Sequence, residues 1–444
     1  MLKDGRGEQQ NLYEEETLSS SRTSNLSNPP PSSPPPRTVT DNLTTTLKSL
    51  KLLYYPLRFL YLTLLTLLQC RGSYDAVIIQ TPPFLPTIIV AWACSWIYGR
   101  GCGGADLIVD WHNIGFTMFD EGVSGVRGIV KASERALGST LPTLNLCVSN
   151  RMKVYLTDNF DLKPETVRVL HDRPTRYMRK GNKGETHDMW RGLNGELEGV
   201  RVQLDIEVKE GESVFTDFNG VRRVDSPLVF MSATSWTVDE DFGILLDALV
   251  GIDDLAVGGK TEELRNGVVV FVTGKGPMKE YYEGRVRGMG LRRVAVKTLW
   301  LETEDYPRLI GGVDAGISLH TSTSGVDLPM KILDMFGCGV PVLAMNFEAL
   351  PELVEDGVNG IVFRDAKGLG EGIMRIARGE GRGLMREVEK GKRWEEEWDE
   401  VVWEGFVKGR GGRGRGRRGG GAFICPAVAV IIAVLVGVIK AWNV

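Results

Sequence analysis

Polar side chains able to move protons follow one of the apolar runs in this sequence. The tetrapeptide Asp110-Trp111-His112-Asn113 comes directly after such a run, Leu107-Ile108-Val109. A carboxylate at Asp110 would fix the tautomer of His112, which makes His112 a candidate general base and Asp110 its orienting partner. Asn113 is a candidate contact on the acceptor side of the same site. The alternative is a structural histidine, since a lone histidine is more often a hydrogen-bonding group than a catalyst.

A second candidate site lies within residues 322–344, where a polar loop precedes a short helix, a Gly-Cys-Gly stop and a strand. Backbone N–H groups near Ser324 and Gly325, ahead of the helix, are suited to a diphosphate. Asp334 on the helix is placed to accept hydrogen bonds from a ribose diol, and Asp327 at its mouth to meet sugar hydroxyls. The alternative is an ordinary helix start capped by Ser or Asp.

Other residues at predicted strand ends extend this donor site. Lys275, flanked by two glycines, is suited to neutralise a β-phosphate. Thr234 and Ser235 belong to a hydroxyl-rich strand end that faces the same cleft. His320 ends another strand and is a candidate sugar or phosphate contact. Arg173 would either pair with a pyrophosphate or brace the connection between domains.

Composition excludes several other classes of site. The formal net charge is −4, so no global basic field points to nucleic acid. The six cysteines are scattered singly without a Cys-x-x-Cys pair, which predicts neither a zinc site nor a disulfide framework and favours a reducing compartment. No Asp-x-Asp pair stands at a strand end. We therefore expect no metal site and no tightly bound cofactor, and Mg²⁺ would act on substrate phosphates without a motif of its own.

Alternation of buried strand-like runs with helical segments predicts an α/β fold with two Rossmann-like, doubly wound domains facing a cleft. The first domain is predicted over residues 46–177 and the nucleotide-sugar domain over 226–390, with its last strand at 341–344. Residues 178–225 are rich in glycine and charge and are interpreted as an insertion or linker. A C-terminal helix is predicted over 391–408.

The ends of the chain predict contact with a membrane. Residues 1–45 are rich in Ser, Thr and Pro and are expected to be disordered. The leucine-rich segment 47–70 is interpreted as a helix in the membrane interface, or as a buried core helix. After an Arg/Gly linker at 409–421, residues 422–439 carry no charge and form a candidate transmembrane segment, with an interfacial segment as the alternative. The basic flank would stay cytosolic.

Several of these segments together resemble one enzyme family, the chitobiosyldiphosphodolichol β-mannosyltransferases, which have the two-domain GT-B architecture. The segments that carry the resemblance are Gln80-Thr81-Pro82-Pro83, Asp110-Trp111-His112-Asn113, Asp172-Arg173-Pro174, 232–242, 299–307, 325–339, 350–354 and 394–398. They extend over residues 50–403. In the wider GT-B class two acidic residues flank a helix start, and Asp327 and Asp334 occupy similar places at a spacing one residue shorter.

The resemblance implies GDP-mannose as donor and GlcNAc₂-pyrophosphoryl-dolichol as acceptor. It implies transfer of one mannose with inversion, forming the first β-1,4-mannose linkage of the lipid-linked precursor of N-glycans. It also implies a place at the cytosolic face of the endoplasmic reticulum membrane, contact with membrane lipid, and association with other mannosyltransferases of the pathway.

The sequence departs from the family pattern at its start. Members usually carry an N-terminal glycine-rich loop that contributes to the cleft, and nothing in residues 1–45 matches it. We therefore expect the first sheet to be short by about two strands, which would leave an edge of the sheet unpaired. Two alternatives remain open: a membrane-tethered paralogue that binds the nucleotide without turnover, and a different sugar-nucleotide transferase on the same fold.

Overall fold

The fold is built on two parallel β-sheets, each with helices packed against it. A computed structural model describes residues 74–99, 105–119, 124–237, 240–259, 261–322 and 324–408. These residues belong to one compact unit of the chain, residues 65–444. Both sheets are parallel throughout, so all the loops that follow their strands lie at one edge of each sheet.

The first sheet has four strands in the order β1-β2-β3-β4. Its strands are β1 (Ala76–Thr81), β2 (Asp106–Trp111), β3 (Leu144–Cys147) and β4 (Val167–Val169), and its helices are α1 (Thr87–Tyr98), α2 (Ser124–Thr140) and α3 (Asn150–Phe160). Side chains of all three helices join one apolar cluster on the same face of the sheet. This follows from the chain topology, because consecutive right-handed crossovers in one direction put their helices on one face.

Trp111, the last residue of β2, anchors that cluster and is fully buried. Its ring lies 5.1 Å from the ring of Phe84 and 6.0 Å from that of Phe160, measured between centroids. Its indole N–H donates to Asn145 Oδ1 at 2.9 Å, which satisfies its only polar group. A packed and hydrogen-bonded Trp111 holds the start of the following loop, and hence His112, in one position.

The second sheet has six strands in the order β10-β9-β8-β5-β6-β7. The strands are β5 (Leu228–Ala233), β6 (Val268–Thr273), β7 (Val294–Leu299), β8 (Ala315–Ser318), β9 (Val342–Met345) and β10 (Gly360–Phe363). The sequence analysis ended this sheet at residues 341–344 and missed β10, which pairs with β9 at the edge. The apolar run of β10 is confined to Ile361, Val362 and Phe363 between Gly360 and Arg364, so it does not stand out in the sequence.

Helices cover both faces of the second sheet. They are α6 (Phe242–Val257), α7 (Lys279–Gly288), α8 (Asp305–Gly311), α9 (Met330–Gly337), α10 (Ala366–Ala377) and α11 (Gly381–Val388). Two separate apolar clusters result, one on each face. Strands buried on both faces explain the continuous apolar runs from which this domain was predicted.

The segment 178–225 is part of the second domain's core, which corrects its interpretation as a linker. It contains α4 (Lys183–Gly192) and α5 (Glu198–Leu204). Trp190 of α4 is buried, and its ring centroid lies 4.5 Å from that of Phe215 and 5.5 Å from that of Phe271 in β6. The segment is rich in glycine and charged residues, so its few large apolar side chains form no recognisable pattern in the sequence. Their contribution to the core is seen only in the structure.

The C-terminal segment returns to the first sheet. Over the predicted helix 391–408 the chain forms α12 (Trp394–Trp398) and then a π-helix, Asp399–Lys408. Val402 is buried with Leu144 and Leu146 on the face opposite to α1–α3, and Trp394 and Trp398 pack beside them. The chain therefore crosses between the sheets twice. Residues 394–402 pack on the face of the first sheet that α1–α3 leave uncovered.

Several predictions concern segments outside the described residues. These are the disordered segment 1–45, the membrane-interface helix 47–70, the linker 409–421 and the transmembrane segment 422–439. Within the part of the chain that the structure describes, no helix combines the length and apolarity needed to span a bilayer.

Replacing Trp190 by alanine tests whether segment 178–225 belongs to the second domain's core. We expect Trp190→Ala to lower the free energy of unfolding by about 3–5 kcal/mol, because it empties a site packed between two buried rings. Urea unfolding followed by circular dichroism measures this change. The control is Val202→Ala on α5, at an exposed side chain, which should change stability by no more than about 0.5 kcal/mol. Equal stability of the two variants would contradict the assignment.

Candidate functional site

Loops that follow strands of the first sheet contact loops of the second domain. Ser149, after β3, donates from Oγ to the carbonyl oxygen of Val326 at 2.5 Å. Val326 lies in the polar loop before α9, yet its side chain is buried within the apolar cluster of the first domain. The loop after β3 in the first domain therefore meets the predicted donor-side loop directly.

Glu352 of the second domain binds the start of α3 in the first domain. Its carboxylate accepts hydrogen bonds from the backbone N–H groups of Asn150 (2.6 Å) and Arg151 (2.9 Å). It also faces His171 Nε2 at 3.2 Å. Burial raises the pKa of Glu352, but these hydrogen bonds outweigh burial and hold the pKa below its ordinary value. The carboxylate is therefore ionised at neutral pH and complements the positive end of the helix dipole.

Arg173, predicted to contact a pyrophosphate or to brace the chain, makes an ion pair with a buried carboxylate. Its Nε donates to Glu397 Oε2 of α12 at 3.2 Å, and His171 Nδ1 lies 3.6 Å from Glu397 Oε1. Glu397 is only 8% exposed. This contact ties β4 to the C-terminal helix and favours the bracing role for Arg173.

His112 lies between two carboxylates at the ends of β2 and β4. Its Nε2 is 3.0 Å from Asp110 Oδ2, and its Nδ1 is 3.5 Å from Asp172 Oδ2. All three side chains are largely buried, with Asp172 the most enclosed at 7% exposure. The structure thus brings together the two predicted residues and adds Asp172, a third that the sequence analysis did not select.

The two carboxylates determine the charge of His112. Burial by itself lowers the pKa of the imidazole, but Asp110 and then Asp172 raise it to about 9. Burial raises the pKa of Asp172 to about 6, against the attraction of His112. At neutral pH the ring is therefore a cation with both N–H groups directed at carboxylates. Such a ring has no lone pair to accept a proton, so the geometry does not favour His112 as the general base.

A buried glutamate fixes the turn that follows His112. Asn113 Oδ1 accepts from the backbone N–H of Ile114 at 2.7 Å, so its side chain is used locally. Glu134 of α2 accepts from the N–H groups of Gly115 (2.8 Å) and Phe116 (3.3 Å), and burial raises its pKa to about 7. A Cβ on Gly115 would lie 2.5 Å from the Glu134 carboxylate, so a side chain there is excluded. Glu134 therefore ties α2 to the backbone of the candidate acceptor site.

On the donor side, the polar loop before α9 folds around Asp327. The hydroxyls of Ser322 and Ser324 both donate to Asp327 Oδ1, the latter at 3.1 Å, and His320 Nε2 lies 3.6 Å from its Oδ2. Burial raises the pKa of Asp327, but His320 and the two hydroxyls outweigh burial and hold it below its ordinary value. The N–H of Gly325, at φ +76°, is taken by Ser322 Oγ. Asp327 thus organises the loop that leads into α9.

Asp334 has one carboxylate oxygen bound within the protein. Its Oδ2 accepts from the hydroxyl of Tyr306 in α8 at 3.2 Å. Burial raises the pKa of Asp334 to about 6, although the Tyr306 hydrogen bond partly lowers it. The helix that carries Asp334 begins after Pro329, and among the described residues no side chain caps its first turn. This helix start and Asp334 are the parts of the donor site best suited to bind a ligand.

Thr234 and Ser235 donate hydrogen bonds to Glu240, which forms an ion pair with Lys331. Glu240 is 5% exposed and accepts from the Thr234 hydroxyl and from the Ser235 N–H at 3.0 Å. Its other oxygen pairs with the ammonium group of Lys331 on α9. The loop after β5 is thereby attached to the helix start that the sequence analysis assigned to the diphosphate.

Lys275 lies between two glycines, at positions where the backbone leaves no room for a side chain. A Cβ on Gly274 would lie 1.8 Å from the carbonyl oxygen of Thr234, and one on Gly276 at the same distance from that of Ser235. The Lys275 ammonium sits 3.8 Å from the centroid of the exposed Trp300 ring, a cation–π contact. In the described residues, no group of three or more His, Cys, Asp or Glu side chains is arranged to hold a metal ion.

Comparison with known proteins identifies the family to which this chain is similar. The profile of "Glycosyl transferases group 1" matches residues 228–378. Human chitobiosyldiphosphodolichol β-mannosyltransferase is 36% identical over 349 residues, which cover 74% of this chain and 72% of that protein. The Arabidopsis thaliana protein named UDP-glycosyltransferase TURAN is 37% identical over 323 residues, covering 68% and 67%.

The chain belongs to the chitobiosyldiphosphodolichol β-mannosyltransferase family. It is a glycosyltransferase. Crystal structures of Anabaena HepE superimpose with a TM-score of 0.51 at 17% identity, covering 76% of this chain and 78% of that one for the complex with UDP and glucose, and they show the shared α/β GT-B fold.

Sequence analysis missed several charged residues that lie within the segments resembling this β-mannosyltransferase family. Asp172, Glu240, Lys331 and Glu352 all occur there, but no role was assigned to them. For Asp172 a usable signal was its position three residues after β4, close to the end of a strand. The identity of each partner depends on loops that are distant in sequence.

Replacing Glu352 tests whether this β-mannosyltransferase homologue depends on that carboxylate to hold its two domains together. Glu352→Ala should lower the free energy of unfolding by about 1–3 kcal/mol, because the N–H groups of Asn150 and Arg151 lose their acceptor while Ser149 still caps α3. Chemical denaturation measures this loss. Glu348→Ala is the matched control: it breaks an exposed ion pair with Arg151, a contact worth less than about 1 kcal/mol. Indistinguishable variants would refute the role given to Glu352.

Proposed function

We propose that this protein transfers mannose from GDP-mannose to GlcNAc₂-pyrophosphoryl-dolichol with inversion, forming the first β-1,4-mannose linkage of the N-glycan precursor. Membership of the β-mannosyltransferase family supports this proposal. The observation that carries it is the cluster Asp110–His112–Asp172 at the strand ends of the first sheet, together with the hydrogen bond from Ser149, after β3 of the same sheet, to Val326 in the loop that leads into the candidate diphosphate-binding helix. We further propose the cytosolic face of the endoplasmic reticulum membrane as its location, with other mannosyltransferases of the pathway as partners.

The donor is assigned to the start of α9. A diphosphate would accept hydrogen bonds from the first N–H groups of this helix, whose dipole favours negative charge. Lys275 lies in the loop after β6 and supplies a cation for the leaving diphosphate. The free oxygen of Asp334 would accept from the ribose hydroxyls of the nucleoside.

The acceptor is assigned to the cluster around His112. An acceptor sugar hydroxyl attacks the anomeric carbon of mannose, the bond from that carbon to the diphosphate oxygen breaks, and the hydroxyl proton passes to a protein carboxylate. We assign this proton to Asp110, because its side chain is 16% exposed whereas Asp172 is 7% exposed. The His112 cation then positions both carboxylates and lowers the pKa of Asp172, whereas the sequence suggested His112 as the base and Asp110 as its orienting partner.

Conservative substitutions separate the two roles. Asp110→Asn should lower kcat by about 10²–10⁴-fold, since it removes the proton acceptor. His112→Gln should retain more activity. It should move the acid limb of the kcat/KM profile to higher pH, because the variant loses the cation that lowers the pKa of the neighbouring Asp172.

The pH profile of the unaltered enzyme decides between the assignments. A carboxylate base predicts full activity at pH 7 and a decline below it. If His112 accepted the proton, activity would rise with pH up to about 9, the raised pKa of its imidazole. Observation of that rise, together with its loss in His112→Gln, would reject Asp110 as the base.

Asp334 tests the nucleotide site. Asp334→Ala should raise the KM for GDP-mannose about tenfold or more, because a ribose contact made by a buried carboxylate is worth about 1.5–3 kcal/mol. The KM for the acceptor should not change. Tyr306→Phe is the matched control, since it removes only the hydroxyl that binds Asp334 Oδ2. An unchanged KM for GDP-mannose in Asp334→Ala would place the nucleoside elsewhere.

Transfer to a defined acceptor tests the whole proposal. The membrane-bound protein would be incubated with labelled GDP-mannose and GlcNAc₂-pyrophosphoryl-lipid, and the product digested with β-mannosidase. One β-linked mannose is the expected result. A second candidate is transfer from a UDP-sugar, which the name of the Arabidopsis relative favours. UDP-glucose, UDP-GlcNAc and UDP-galactose would be assayed in parallel, and turnover of one of these alone would support that candidate. GDP binding without any turnover would indicate a non-catalytic paralogue.

A further inference from the structure

The outer side of α1 exposes a stripe of large apolar side chains. Ile89 is 52% exposed, Trp92 42%, Trp96 61% and Ile97 62%. The inner side of the same helix, which includes Ile88, is buried in the core. The helix sequence, TIIVAWACSWIY, contains no charged residue. Both sides of α1 are therefore apolar, although one side faces outward.

The exposed side chains form a continuous surface along the helix. Ile89, Trp92 and Trp96 are spaced by three and four residues, which places them on one face. The ring centroids of Trp92 and Trp96 lie 6.3 Å apart in an edge-to-face arrangement. Large side chains exposed to this degree amount to a few hundred Å² of apolar area. A patch of this size usually marks an interaction surface.

The neighbouring helix on the same face of the sheet adds positive charge. In the first turns of α2, Val126 and Ile129 are exposed. Arg127 and Lys131 alternate with them along the helix. Both cations lie over the Phe116 ring, at 5.7 and 5.1 Å from its centroid.

This combination of side chains matches the interface of a lipid bilayer better than a protein partner. Tryptophan concentrates at the boundary between headgroups and acyl chains, because its ring is apolar and its N–H is polar. Aliphatic side chains insert beside it, while arginine and lysine reach anionic headgroups.

We infer that the outer face of α1, together with the basic first turns of α2, is a surface on which the protein rests against an anionic bilayer. The inference rests on the proposed function, since a lipid-linked acceptor keeps its tail in the membrane. Phe116, the ring beneath the two cations, belongs to the turn that follows His112 and is held by Glu134. The membrane surface and the acceptor-side turn are therefore joined through one ring and one buried carboxylate.

Photocrosslinking of the full-length chain tests the surface without requiring activity. A photoreactive benzoylphenylalanine would replace Trp96, and the protein would be bound to phosphatidylcholine–phosphatidylserine vesicles containing a radiolabelled phospholipid. We expect strong labelling of the protein by lipid. The matched control carries the same group in place of Val202, an exposed residue of α5 in the second domain, and should be labelled at least tenfold less. Crosslinking of position 96 to another segment of this chain or to a second copy, without lipid, would overturn the inference.

Kinetics with two acceptors give a second, independent test. In the double variant Trp92→Ser/Trp96→Ser, the KM for a long-chain acceptor in vesicles should rise at least tenfold. The KM values for a water-soluble short-chain acceptor and for the donor should remain unchanged, and circular dichroism would check the fold. If the double variant and Val202→Ser had the same KM for the long-chain acceptor and the same KM for the short-chain acceptor, the proposed membrane surface would be contradicted. Absence of turnover in the unaltered protein would instead reject the proposed function, while the crosslinking result would still decide the surface.

Discussion

The relation between the two domains depends on one charged contact, in which the Glu352 carboxylate of the second domain accepts hydrogen bonds from the first N–H groups of α3 in the first. An ionised carboxylate taken out of water must find donors, and the backbone N–H groups at a helix start supply them together with a favourable dipole. The hydrogen bonds to Asn150 and Arg151 meet this requirement. The Ser149–Val326 hydrogen bond beside it brings the polar loop of the donor site against the first domain. A change in the distance between the domains would break both contacts at once.

The same rule organises the two halves of the candidate site. Glu134 holds the turn after His112, and Glu240 holds the loop after β5 against Lys331 of α9. Each is a buried carboxylate that satisfies backbone N–H groups of a loop, and each loop carries residues assigned to a substrate. Burial makes these carboxylates costly to leave unpaired, so the loops they bind are held in one conformation. A site formed by loops thereby obtains the rigidity that catalysis requires.

Charge balance within the His112 cluster is the reason why we propose another role for His112 than the sequence suggested. A histidine with one carboxylate partner is a good general base, because the second nitrogen stays free. With carboxylates at both nitrogens, the stable state is a cation between two anions, and proton acceptance passes to a carboxylate. Asp172 makes this difference. It comes from β4, more than fifty residues after His112, and reaches the ring only because β2, β3 and β4 lie side by side.

Sequence alone determined the fold class, the division into two nucleotide-binding-type domains and the family, because buried parallel strands leave continuous apolar runs and family segments are contiguous. It also selected Asp110, His112, Asp327 and Asp334. Only the tertiary structure decided what these residues contact: the second carboxylate on His112, the Tyr306 hydroxyl on Asp334 and the loop wrapped around Asp327. It likewise placed segment 178–225 in the second core and residues 394–402 on the first sheet. Local periodicity records which side of an element is buried, but partners distant in sequence are chosen by packing, and that choice sets the charge and role of each side chain.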